Sequence, residues 1–183
     1  YTAELTKMMV LKRHSEFPHL PELPIHVVKD GDRIKMGDHF MVEFFHVNHN
    51  IPDSVGVLLK TPAGNVVHTG DWKFDHTPVN ERPADMKRLS DIGEQGTLLL
   101  VSDSTDAEED GHQISETEVQ QSLEIVFVEA PGRIIAATFA SLLTRLQQLI
   151  WLSEKYNRKV LIEGSSMKSN VAVAQELGYL KVK

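Results

Sequence analysis

The 183-residue sequence contains no cysteine, which excludes a disulfide scaffold and any zinc site built on thiolates. No apolar run approaches the length that crosses a bilayer, so no membrane-spanning helix is expected. Internal repeats and low-complexity tracts are also missing, which sets aside solenoids and biased linkers. Positive charge is scarce: 19 Lys and Arg stand against 26 Asp and Glu, a formal net of -7. Taken whole, that balance argues against a nucleic-acid binder. What is present is ordinary for a folded protein, 41% hydrophobic and 25% charged, enough apolar material for a core. The length suits one domain, or one domain and part of another.

The charge is unevenly placed. Residues 1–130 hold 11 Lys and Arg against 23 Asp and Glu, a net of -12. Residues 131–183 hold 8 Lys and Arg against 3 Glu, a net of +5. All nine histidines lie in the first region, from His14 to His112. An acidic, His-rich region can hold cations and a basic one can meet phosphates. Two regions with different tasks are therefore expected.

Residues 4–13 read as a helix, and a start on Tyr1 instead of Met is expected to be a cut. Short strand patterns follow at 25–28, 33–36, 39–47, 55–60 and 65–68, the last two joined by the turn Pro62-Ala63-Gly64. They predict antiparallel β-structure. From residue 84 the elements alternate. Helices are expected at 84–92, 115–129, 141–155 and 170–177, and strands at 97–102, 133–138 and 159–162. The run Leu98-Leu99-Leu100-Val101 predicts a strand buried on both faces. Ser115 and Glu118 form a capping box, and Gly178 is placed to stop the last helix. Strand–helix alternation of this kind predicts an α/β fold with a parallel sheet under covering helices.

Polar residues at the ends of the strand patterns are the candidates for chemistry. His49 lies in HVNHNIPDS and Asp71 in HTGDWKFD. Imidazole and carboxylate are what a divalent cation takes once thiolates are absent; the plainer reading is a hydrogen-bonded surface pair. Asp103 ends the apolar strand, where α/β active sites usually sit, and it is equally suited to a turn. Asp106, Glu108, Glu109 and Asp110 lack the alternation of a calcium loop and read as solvated. Ser141 opens a helix whose N-terminus can hold a phosphate, or is simply its N-cap. Arg145 lies one turn further on.

Eight strings, HNIPDS, TGDWKFD, SDSTDAE, SETEV, GRIIAATFAS, RLQQ, RKV and GSSM, come in the order seen in ribonuclease J. The sequence thus resembles that family, of the metallo-β-lactamase superfamily and its β-CASP group, over nearly its whole length. The resemblance implies part of an αββα metallo-β-lactamase fold over 1–114, followed by the start of a parallel-sheet β-CASP domain over 115–183. It implies His49 as a zinc ligand and Asp71 as the carboxylate bridging two zinc ions. Asp103 would be a catalytic acid near the scissile phosphate, paired with a later histidine. Ser141 and Arg145 fall in the strand-turn-helix facing substrate. The implied reaction is hydrolysis of single-stranded RNA, 5′ to 3′ from a 5′-monophosphate end and also internally. Two zinc ions would share an activated water. A cytoplasmic enzyme with no membrane partner, as a homo-oligomer or paired with a related subunit, is implied too.

The departures are specific. No histidine here has the H-x-H-x-D-H spacing of the superfamily. An internal segment of a longer enzyme, inactive and weak in zinc by itself, is therefore expected. A non-catalytic subunit for RNA binding or assembly is the alternative. Asn50, Trp72 and Ser165 stand where the family has Ser, Phe and Arg. A hydrolase of DNA or of a small ester is disfavoured by the basic stretch after residue 130. A phosphoacceptor domain is disfavoured by the β-rich first half.

Overall fold

The computed structural model describes residues 1–183. Helix α1 (Glu4–His14) leads into a meander of β1 (Arg33–Met36), β2 (Phe40–His46), β3 (Val55–Thr61) and β4 (Gly64–His68). Helix α2 (Met86–Glu94) and β5 (Leu99–Val101) follow, and then helices α3 (Glu116–Glu129), α4 (Leu143–Lys155) and α5 (Ser165–Glu176). One five-stranded sheet runs in the order β1-β2-β3-β4-β5. Its first four strands are antiparallel, and β5 joins β4 in parallel through the pairs Val66–Leu99, Val67–Leu100 and His68–Val101. The α/β class is thus as expected, on a mixed sheet. No helix is long and apolar enough to cross a membrane.

Two cores hold the molecule. The sheet core gathers Phe45, Val47, Leu58, Val67 and Ile92, with Trp72 and Leu89 packed at its margin. Phe45 stands opposite Gly56 in the β2–β3 register. A Cβ at Gly56 would come within 2.4 Å of the Phe45 ring, so the aromatic ring occupies the space glycine leaves open. The second core is helical, with Leu146 and Ile150 of α4, Val171 and Ala174 of α5, and Leu5 of α1. The first helix therefore packs with the last two. Its N-terminus has no local side-chain cap; Asp53, from the HNIPDS string, accepts from the Leu5 N–H at 2.9 Å instead. At the other end of the chain Gly178 takes a positive φ of 75°. The bonds Tyr179 N–H to Ala174 and Gly178 N–H to Gln175 then close α5 as a Schellman motif.

Several expected elements differ. Residues 25–28 form only an isolated bridge, Thr2 to Val27. Strand β5 is not buried on both faces: Leu99 is 53% and Leu100 58% exposed, so neither face is covered, and in the sheet β4 is its one neighbour. Residues 133–138 and 159–162 form no strand and join no sheet. Between them lies an apolar groove of about 450 Å³, and the Arg158 guanidinium, not a neighbouring strand, takes the Gly132 and Ala130 carbonyls. Helix α4 starts at Leu143 with Leu142 as N-cap, so Ser141 does not cap it. The turn bond from Leu143 N–H to the Ser141 carbonyl takes one of the donors a cap would use. Helix α5 begins at Ser165, five residues before the expected start, after Gly164 at φ 98°.

Candidate functional site

Three loops carry the candidate acids and imidazole, and hydrogen bonds stitch them together. Asn48 is fully buried, and its carbonyl accepts from the Lys73 N–H at 2.9 Å. That bond ties the loop bearing His49 to the loop bearing Asp71. Thr69 ties the second loop to the third. Its N–H donates to Val101 at 3.0 Å, and its hydroxyl accepts from the Asp103 N–H at 3.1 Å. The parallel β4–β5 pairing puts both strand ends on one side, so Asp71 and Asp103 emerge beside each other.

The result is a polar cleft of about 650 Å³ whose walls include His49, Asp71, Asp103, Lys73, Glu116 and Arg145. His49 is half-buried, Asp71 exposed and Asp103 half-buried. Arg145 reaches the wall from α4, while Ser141 is exposed in the preceding turn and does not line the cleft. Neither His46 nor His68 lines it. His46 is buried under the 81–85 segment, and burial first, then the Arg82 charge, lowers its pKa.

Asp103 is a fixed anion. Its carboxylate accepts from the Thr105 N–H at 2.9 Å, the Thr105 hydroxyl at 2.7 Å and the Trp72 N–H at 3.2 Å. Those donors hold its pKa below the ordinary carboxylate range, with a small further pull from nearby His49. A carboxylate so held can orient a cation or an imidazolium; it is a poor proton donor at neutral pH.

Sequence reasoning missed Glu116, the most connected side chain of the cleft. It opens α3 inside the Ser115 capping box, where the Ser115 hydroxyl accepts from the Glu118 N–H. Its carboxylate accepts from Lys73 Nζ at 2.7 Å, Arg145 Nη2 at 3.0 and 3.3 Å, and Gln148 Nε2 at 3.0 Å. Its N–H donates to buried Asp75 at 2.9 Å. Burial alone would raise the Glu116 pKa; Lys73 and Arg145 more than offset it and leave it lowered. Asp75 and Lys73 sit in the quoted TGDWKFD string, but nothing in SETEV separates Glu116 from an ordinary first-turn glutamate. Glu81 was missed too. Both its carboxylate oxygens and Asn48 Oδ1 are buried without a partner, and burial raises the Glu81 pKa to about 7.

A catalytic zinc takes three protein ligands and a structural one four. His49 and Asp71 are two, and no three His, Asp or Glu side chains gather closely enough to hold an ion. These residues by themselves do not make a metal centre.

A mixed-sheet α/β protein with a polar cleft at parallel strand ends is the class that fold and site define. The family model for the ribonuclease J β-CASP domain matches residues 131–183. Ribonuclease J of Thermus thermophilus is 42% identical over 184 residues, covering 100% of this chain and 32% of that protein. Ribonuclease J of Helicobacter pylori J99 is 44% identical over 154 residues, 84% of this chain and 22% of that protein. Ribonuclease J 2 of Staphylococcus aureus is 32% identical over 182 residues, 100% of this chain and 32% of that protein. The chain thus spans about a third or less of these relatives. A crystal structure of a protein of unknown function from Enterococcus faecalis V583 shares the fold. Its TM-score is 0.69 at 22% identity, over 100% of this chain and 44% of that one. This chain belongs to the ribonuclease J family.

Proposed function

We propose that this chain is the part of a ribonuclease J-type RNA hydrolase that brings His49, Asp71 and Asp103 to the cleft. The observation that carries this reading is the convergence of the three residues, from three stitched loops, on one polar cleft. In it, residues 1–114 belong to the metallo-β-lactamase domain and 115–183 to the β-CASP domain, meeting at the Glu116 cluster. The substrate is single-stranded RNA with a preferred 5′-monophosphate end, cut from the 5′ end and internally. The enzyme is cytoplasmic and works as a homo-oligomer or with a related subunit. Arg145 binds substrate through its guanidinium on the cleft wall, and Ser141, outside the cleft in the preceding turn, meets the RNA where the strand leaves it.

Zinc dependence is part of the reading. His49 and Asp71 would each give one donor, so the reading requires donors beyond these two, and the 183 residues alone are inactive. Asp103, held as an anion, orients a partner imidazole near the scissile phosphate and does not itself deliver the proton.

The test is hydrolysis of a 5′-monophosphorylated single-stranded RNA by the full-length protein. His49→Ala and Asp71→Ala each abolish it while circular dichroism and melting stay close to wild type. Undiminished hydrolysis in either variant refutes the site. No hydrolysis by the wild type, with RNA binding retained, favours a non-catalytic subunit.

A further inference from the structure

We infer that Glu116 is the positioning residue of the cleft, holding one edge of the Arg145 guanidinium so that its remaining donors meet a substrate phosphate. The inference rests on the reading of this cleft as the RNA site and adds to it a residue and a role.

The geometry separates the two cations that Glu116 holds. Lys73 is held between two carboxylates: its Nζ lies 2.7 Å from Glu116 and 3.5 Å from Asp75. Arg145 gives both Glu116 oxygens a single nitrogen, Nη2, at 3.0 and 3.3 Å. Its Nε is buried with no partner at all. A guanidinium has five donors in a rigid fork; Arg145 is anchored through Nη2, its buried Nε is out of reach of the cleft, and Nη1 is the donor left for a phosphate. Its side chain remains 24% exposed on the cleft wall, against 9% for Glu116.

Charge count explains why an anchor is needed. Lys73 and Arg145 face Asp75 and Glu116, so the cluster is neutral as it stands. General attraction for phosphate is therefore weak, and binding has to come from a donor held in the right direction. Glu116 is well suited to hold it. It is fixed by its own N–H on Asp75 at 2.9 Å and by Gln148, which donates to both its carbonyl and its carboxylate. Asp75 itself is almost completely buried. The anchor is thus braced from the β4–α2 loop and from α4, the helix that carries Arg145.

The experiment uses the full-length protein and a 5′-monophosphorylated single-stranded RNA, with affinity measured by anisotropy across a salt series. Arg145→Ala should weaken binding about tenfold or more, as expected for a lost charge-assisted bond. It should also lower the salt slope by about one. Glu116→Gln should weaken binding too, although it leaves the cluster one positive charge richer and so should not lower the salt slope, and the double variant should be no worse than Arg145→Ala alone. Glu116→Asp keeps the charge but withdraws it; it should melt near wild type and still lose part of the affinity, with KM rising more than kcat falls. Wild-type affinity and salt slope in Glu116→Asp, with Arg145→Ala impaired, overturn the positioning role. Wild-type binding in Arg145→Ala overturns the RNA-site reading itself, and the inference with it.

Discussion

The sheet half and the helical half of this molecule are finished to different degrees. In the sheet half, β1 to β4 are paired residue by residue, and Phe45 closes over Gly56. In the helical half the helices pack well through Leu146, Ile150, Val171 and Ala174. The two strand-like segments beside them join no sheet, and Ile135 and Leu161 stand 91% and 83% exposed. The difference shows where local and non-local information separate. A hairpin places its own partner next in sequence, so its ladder closes within the segment. A parallel strand needs a partner brought from a distance, and residues 131–183 contribute no strand to the sheet. The cleft lies where the two halves meet, and the Glu116 cluster joins them.

The strongest way to test this contrast is to remove one residue from each core. Phe45→Ala should cost about 3–5 kcal/mol and Leu146→Ala about 2–5 kcal/mol in denaturant unfolding. Hydrogen exchange should then localise the damage: faster exchange in β2 and β3 for the first, in α4 and α5 for the second. Equal acceleration everywhere in both variants would mean one cooperative unit, and the contrast would fail.

A smaller effect comes from pH. Burial raises the Glu81 pKa from 4.5 to about 7, with Asn48 and Lys73 opposing and Asp75 and Glu116 adding to it. The folded state thus keeps a proton that the unfolded state releases. The stability linked to Glu81 is fully present below about pH 4.5 and is lost as pH rises through about 7. The denaturation midpoint of the wild type should therefore fall relative to Glu81→Gln between pH 5 and 8. Parallel profiles for the two proteins would show that Glu81 is charged throughout.

The smallest effect is expected on the unpaired segments. Ile135→Ser should change stability by no more than about 0.5 kcal/mol, as at other exposed positions. A loss of several kcal/mol would show that Ile135 is packed in solution and that the groove beside residues 133–138 is filled.

Much of this was readable from residue order. Alternating side chains and the turn at Pro62-Ala63-Gly64 marked β3 and β4. The Ser115 cap and the Gly178 stop marked the ends of α3 and α5. His49, Asp71 and Asp103 were each marked by a strand-end position, and the fold brings them to one cleft. Those signals are local: each depends on neighbours within a few residues. The burial of β5 was misread because an apolar run states what a strand tolerates, not what covers it. The N-terminus of α4 was misread because a serine before a helix caps it only if the backbone turns at that serine.

Glu116 and Glu81 show the other limit. Glu116 looks in sequence like any first-turn glutamate, and it becomes the centre of the cleft because Lys73, 43 residues away, and Arg145, 29 residues away, arrive beside it. Glu81 looks like a surface acid in a Pro-flanked loop, and only burial beside Asn48 gives it a pKa near neutrality. The amino-acid order therefore determined the elements, their caps and the identity of the chemical groups, since these follow from short-range sterics and hydrogen bonding. Which groups meet, and with what charge, was decided by the tertiary structure, because desolvation and ion pairing depend on neighbours that chain distance does not reveal.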